Sequence, residues 1–195
     1  MRNSVILLLG FWLLSSLFSC QSKTQDAQTS EVETVELNKD AIGVGAIDHN
    51  DTLPGKKVEE MYGDKQSKVV AFYKVDENGQ LTDEKYREVY YYDSTHYKYI
   101  EGNLDQSRRD GDWFAYHKNG NLCTEAHYVN GKEEGEYKVY HDNGYLYYGG
   151  NYKNGKKVGV WKFYDGEGRL IYTQKYENGT LKETIHVKEN IQEQK

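Results

Sequence analysis

His117 and His141 stand 24 residues apart, and Asp165 follows at the same interval. Imidazole and carboxylate are ligand types of a metal centre, which needs three or four donors converging at about 2.0–2.2 Å. The interval argues against one. If 24 residues form one hairpin, equivalent positions lie two strands apart, roughly 10 Å. The three side chains then become polar edges of successive turns. Cys123 is a second reactive group. A nucleophilic thiol needs a nearby base and a lowered pKa, and no Cys/His pair recurs, so Cys123 is expected as a small buried hydrophobe. His127, beside Glu125, is expected to face solvent. The adjacent carboxylates Glu133-Glu134 and Asp83-Glu84 would point to opposite faces of a strand, which makes them poor acid–base pairs. The sequence holds no glycine-rich phosphate loop and no G-x-S-x-G elbow. No catalytic residue, metal ligand or cofactor is expected, and an enzyme is not the reading that follows.

Cys20 has the clearest chemistry. Arg2 precedes a largely apolar run from Val5 to Phe18, too short to span a bilayer as a helix, which takes roughly 20 residues, but of signal-peptide length. The ending Leu17-Phe18-Ser19-Cys20 resembles the lipobox of bacterial lipoproteins, with Phe18 bulkier than the usual residue. The resemblance implies that residues 1–19 are a signal peptide and that Cys20 carries the lipid that holds the chain to the membrane. Gln21 is not the Asp that retains such proteins at the inner membrane in some bacteria, so the expected location is the cell envelope, outer membrane before inner.

Residues 20–110 carry 12 Lys/Arg against 19 Asp/Glu, whereas residues 111–181 carry nine of each. Neither half has the basic patch that nucleic acid or an anionic lipid surface requires, so neither is an expected electrostatic partner. Residues 21–57 are rich in Ser, Thr, Gln and acids and lack aromatics. Such a stretch buries too little apolar surface to offset its ordering entropy. The expected organisation is a flexible tether over 20–57, a folded region over 58–187 and a polar tail over 188–195.

The folded region is periodic. Gly111, Gly135 and Gly159 are 24 residues apart; Trp113, Tyr137 and Trp161 follow in phase, then Tyr116, Tyr140 and Tyr164, Leu122, Leu146 and Leu170, and Tyr128, Tyr152 and Tyr176. Self-similarity at a fixed period signals a repeat architecture. A worn copy precedes them in residues 70–81, where Phe72 takes the Trp position. Between it and Gly111 the phase is lost: Tyr99 to Gly102 read as a turn, followed by an insertion over 103–110. Asn-Gly recurs at 78, 119, 130, 143, 154 and 178, and Asn-Gly between β-rich runs is the strongest short-range hairpin signal. Turns every 11 to 13 residues predict an all-β fold: an elongated, single-layer antiparallel meander of tandem 24-residue β-hairpin repeats. Strict alternation would put Trp113, Ala115, Leu122, Thr124, Ala126 and Tyr128 on one face, with their counterparts in later units. Phe114, Lys138, Lys162 and the row Tyr116, Tyr140, Tyr164 go to the other.

The pattern G-x-W-x-x-Y-x-x-N-G-x-L followed by Y-x-N-G-K-x-x-G, across residues 111–181, resembles the bacterial variant of the MORN repeat. The resemblance implies a sheet of successive hairpins and a scaffold role, with no catalytic residues. Some members carry an antitoxin label, which fits poorly with an exported chain. The 19 tyrosines serve as β-formers with a polar tip, and an aromatic sheet face suits a polypeptide or a glycan. The candidate binding face comprises Trp113, Tyr137, Trp161, Tyr128, Tyr152 and Tyr176. The leading expectation is a lipid-anchored interaction scaffold for another envelope protein. A carbohydrate-binding surface lipoprotein and an immunity protein in the envelope are the alternatives.

Overall fold

A computed structural model describes residues 33–46, 52–63, 67–92 and 97–187. The expected signal peptide over 1–19, the expected lipidation site Cys20 and the expected tail over 188–195 lie outside the described residues. Eleven strands follow in chain order: β1 Lys56–Met61, β2 Ser67–Val75, β3 Leu81–Tyr91, β4 Lys98–Asp105, β5 Arg108–Tyr116, β6 Leu122–Val129, β7 Lys132–Tyr140, β8 Leu146–Lys153, β9 Lys156–Tyr164, β10 Leu170–Glu177 and β11 Thr180–His186. Each pairs antiparallel with its chain neighbours in one open sheet ordered β1 to β11, the expected meander. The edge strands β1 and β11 are exposed along their whole length. Both carry Lys and Glu, which discourage pairing with another sheet edge.

The Asn-Gly pairs close two kinds of turn. Asn130-Gly131, Asn154-Gly155 and Asn178-Gly179 have positive φ at both residues, the type I′ geometry of a two-residue hairpin. In the other set only the glycine is left-handed, at φ 84° for Gly120 and 90° for Gly144. There the loop is longer: Gly120 N donates to His117 O at 2.9 Å and His117 N to Asn121 O at 2.8 Å. The two kinds alternate along the array. The turn between β4 and β5 is Gln106-Ser107, with φ of 48° and 63°. It stands 24 residues before Asn130-Gly131 and contains neither Asn nor Gly. Tyr99 to Gly102 are therefore strand, residues 103–110 are no insertion, and the phase extends back through β4.

Period-two alternation holds for most of the faces and fails at one row. Tyr116 pairs with Leu122 and Ala115 with Thr124, so Cys123 is an extra residue in β6. The same slip recurs at Tyr147 and, in β10, at Ile171. A β-bulge turns the strand over locally, so Leu122 and Leu146 join Tyr116 and Tyr140 on the opposite face from Trp113. Cys123 is correspondingly half-buried. Phe72 is corrected in the same way. A register slip lies between Phe72 and Tyr73, and Phe72 packs with Val70, Val89 and Tyr86. Its partner Arg87 bonds Glu101, which also accepts from Tyr116; Phe72 thus shares the tyrosine face, not the tryptophan face.

The largest departure from expectation is the segment read as tether. Residues 33–46 lie as a strap across the loop ends of hairpins β9–β10, β7–β8 and β5–β6, in that order. Val35 N donates to Gly168 O and Leu170 N to Glu33 O, each at 2.9 Å. Asn38 Nδ2 donates to Tyr140 Oη at 3.3 Å. Gly43 N reaches Asn121 Oδ1, and Gly45 N reaches Gly120 O, both at 2.8 Å. Ala41 is fully buried among Tyr116, Leu122 and Tyr140. The strap thus contributes a small second layer over one end of the sheet. Val44 to Ala46 form a 3-10 turn there.

Covering this face raises the pKa of its tyrosines. Burial, reinforced by the Glu125 carboxylate, pushes Tyr140 up to about 12; burial with Glu33 does the same for Tyr164. Unfolded tyrosine ionises near 10. The folded state therefore binds protons more tightly, and the stabilisation is complete below pH 10 and drains as pH rises from 10 through 12. Alkaline unfolding is expected in that window, with tyrosinate absorbance and β-sheet circular dichroism changing together. Tyrosinate formation centred at the unfolded value with no loss of sheet signal would contradict it.

Candidate functional site

The face opposite the strap is built on aromatic side chains that the 24-residue period brings into register. Trp161, fully buried, lies over Gly150, where a Cβ would overlap its indole. Trp113, 3% exposed, lies over Gly102 in the same way. Between them Tyr137 is paired with Ala126. On the preceding strand a glycine stands under each indole and Ala126 opposite the phenol, whereas on the following strand Ala126 is opposite Trp113 and Gly150 opposite Tyr137. Trp113 Nε1 donates to Asn103 O at 2.8 Å. Trp161 Nε1 is buried without an acceptor among the described residues.

Around Trp161 the rings form a connected patch. Tyr152 and Tyr176 meet it edge-on at 5.1 and 6.2 Å, and Tyr137 approaches at 6.0 Å. A second row runs across β7 to β11 with near-parallel rings at first. Tyr137–Tyr148 (6.4 Å), Tyr148–Phe163 (5.4 Å) and Phe163–Tyr172 (4.4 Å) stack, and His186 continues from Tyr172 at 5.4 Å. Offset or edge contacts of this kind contribute about 0.5–1.5 kcal/mol each beyond area burial. Of the six residues expected to form a binding face, Tyr137, Tyr152, Trp161 and Tyr176 are in this patch. Trp113 and Tyr128 form a separate pair at 6.3 Å. The rings open to solvent are the half-buried tyrosines, whereas both tryptophans are floor.

Cations complete the face. Position 109 holds Arg, 133 Glu and 157 Lys, again at the 24-residue interval. The Arg109 guanidinium stacks 4.2 Å from the Trp113 ring and donates to Tyr128 Oη at 3.2 Å. Lys157 Nζ sits 4.1 Å over Trp161 and 5.2 Å from Tyr176. Burial lowers the Lys157 pKa and raises those of Tyr148 and Tyr152, so the patch is a partly dehydrated surface. Reading the period at charged as well as aromatic positions would have found this row.

The polar candidates resolve into structure. His117 Nε2 lies 2.9 Å from Tyr140 O, and His141 Nε2 lies 3.3 Å from Tyr164 O. Asn119 Nδ2 donates to Asp142 O and Asn143 Nδ2 to Gly166 O. Each long loop is thus clipped to the next, so these histidines act as ladder rungs. His127 pairs across strands with Asp112 at 2.7 Å, both exposed. Asp165 Oδ1 accepts from Glu167 N and Arg169 N, bonds that lower its pKa, the Arg169 amide first.

The family model of the MORN repeat variant matches residues 109–130 and 169–189. The first match covers hairpin β5–β6, closed by a long loop, and the second covers β10–β11, closed by a two-residue turn. Their starts lie 60 residues apart, two and a half intervals, so the family's unit fits hairpins of either kind. Comparison with curated proteins and with solved structures finds no match.

Proposed function

We propose that the chain is a non-enzymatic, lipid-anchored envelope protein whose aromatic sheet face binds another envelope protein. One observation carries the reading. The strap occupies one end of the sheet's other face, while the rings of Tyr137, Tyr148, Tyr152, Tyr172 and Tyr176 form a continuous half-buried patch with Lys157 at its edge. Aromatic residues are enriched in interface cores, and a lysine suits the polar rim around them. The MORN-variant matches at two hairpins agree with a repeat scaffold, a fold often used for protein or membrane interaction. Burial of Trp113 and Trp161 removes two indole faces that could stack on a sugar ring, which weighs against a glycan reader.

The test is affinity capture from solubilised envelopes with the full chain and with a Tyr148→Ala/Tyr172→Ala variant. Both rings are on the accessible row and neither forms the floor. A partner retained by the first and lost by the second, with sheet circular dichroism unchanged, is the expected result. Capture that is indifferent to these rings, or glycan-array signal with no protein captured, overturns the reading. Cys20→Ser is expected to move the chain from the membrane to the soluble fraction.

A further inference from the structure

The strap is held by a rule that repeats with the array. Glu33 meets the third unit: its carboxylate accepts from Lys162 Nζ at 2.7 and 2.9 Å and from Tyr164 Oη at 3.3 Å. Asn38 meets the second, at Tyr140 Oη. Ala41 and Gly45 meet the first, against Tyr116. Each tyrosine of the row Tyr116, Tyr140, Tyr164 therefore meets the strap, Tyr164 at Glu33, Tyr140 at Asn38 and Tyr116 at Ala41 and Gly45. The loop glycines keep the same register. Gly120 and Gly168 offer carbonyls to Gly45 N and Val35 N, while Gly144 lies under Leu37 and Ile42. Space is as selective as polarity. A Cβ on Gly45 would stand 2.9 Å from the Tyr116 ring and 3.0 Å from Gly120 O, and Ala41 has no exposed surface.

The contacts are specific but shallow. Glu33, Thr34, Glu36, Lys39, Asp40 and Ile42 are all exposed, and Ala41 is the one apolar side chain that is wholly enclosed. A segment so held stays docked largely because it is tethered, since a short linker supplies an effective concentration in the millimolar range. We propose that the loop-end track is a peptide-recognition surface of which residues 33–46 are the resident, displaceable occupant. The partner it fits is a peptide with an acid, an amide five residues beyond it, and then Ala and Gly at the strap's spacing. This site is on the opposite face from the aromatic patch, and its test uses none of that patch's residues.

The experiment opens the track in the full chain with Ala41→Arg and, separately, Gly45→Val. Binding of a fluorescent peptide of residues 33–46 is then followed by anisotropy, with hydrogen exchange as the companion measurement. The expected result is fast exchange over 33–46, retained protection of β5 to β10, and peptide affinity at least ~10-fold above that of the wild-type chain, whose own strap competes at millimolar effective concentration. The same peptide carrying Ala41→Arg is expected not to bind. No binding to either opened variant with β5 to β10 still protected overturns the proposal, as does equal binding to wild type. Loss of β5 to β10 protection in both variants overturns it as well, because the strap would then be part of the fold.

Discussion

Gly150→Ala is expected to lower the unfolding free energy by about 1–3 kcal/mol, the usual cost of forcing a methyl into a filled site. The added Cβ would overlap the indole of Trp161, which cannot tilt away because Tyr152, Tyr176 and Lys157 close on it at 5.1, 6.2 and 4.1 Å. The array itself supplies the remedy. The middle unit pairs Ala126 with Tyr137, so Gly150→Ala combined with Trp161→Tyr rebuilds a pair already present one unit earlier. The double variant is expected to recover a large part of the loss, a coupling of the kind a double-mutant cycle isolates. Trp161 is also the better indole to give up, because its Nε1 has no acceptor among the described residues, whereas Trp113→Tyr forfeits the bond to Asn103 O. Urea midpoints of the four chains decide it. Single variants that add without rescue would show that the glycine rows serve backbone conformation alone.

Glu101→Ala is expected to cost more, about 3–5 kcal/mol, the penalty for breaking a buried ion pair from one side. Glu101, 4% exposed, and Lys98, 3% exposed, lie 2.5 Å apart. The same carboxylate accepts from Tyr116 Oη at 2.5 Å and from Arg87 Nη2 at 2.7 Å. Removing it leaves an ammonium in a site closed to water and a buried hydroxyl that has lost its acceptor. Tyr116, whose ionisation burial and this carboxylate hold far above the usual value, also walls the Ala41 site. Loosening near the strap should therefore accompany the loss of stability. Thermal unfolding and hydrogen exchange of residues 33–46 measure the two effects. A melting shift within ordinary surface-substitution range would show that water reaches the cluster.

The meander was legible because its turns are written in Asn-Gly and its strands in phased aromatics. The turn that escaped, Gln106-Ser107, adopts the same left-handed pair of conformations with residues that bear no local signature. Its neighbours hold it in phase, so tertiary pairing determines it. The face of Leu122 and Leu146 escaped for a different reason. A bulge adds one residue, and a period-two count cannot see the addition from side-chain type. Trp113, Tyr137 and Trp161 share a face as alternation requires; what exposure to expect of them depends on Gly102 and Gly150, whose meaning emerges only when strands are adjacent. The strap is the deepest miss. Its closest-fitting residues are Ala41 and Gly45, whose value comes from fitting under tyrosine rings about 70 to 100 residues away, and hydrophobicity along the chain does not register that.

The strap also sets how far the module can travel. With lipid at Cys20, as proposed, 13 residues separate the anchor from the docked Glu33, a leash of about 45 Å at full stretch. Were slack to run unbroken to Lys56, the leash would be 36 residues and about 125 Å. Undocking therefore nearly triples the radius the sheet can sweep and enlarges the volume roughly twentyfold, by cubing that ratio. If anchored as proposed, a module with a docked strap would stay near the bilayer surface. Unstrapped, it would reach nearly three times as far, so occupancy of the three tyrosines would set the distance at which a partner could be caught.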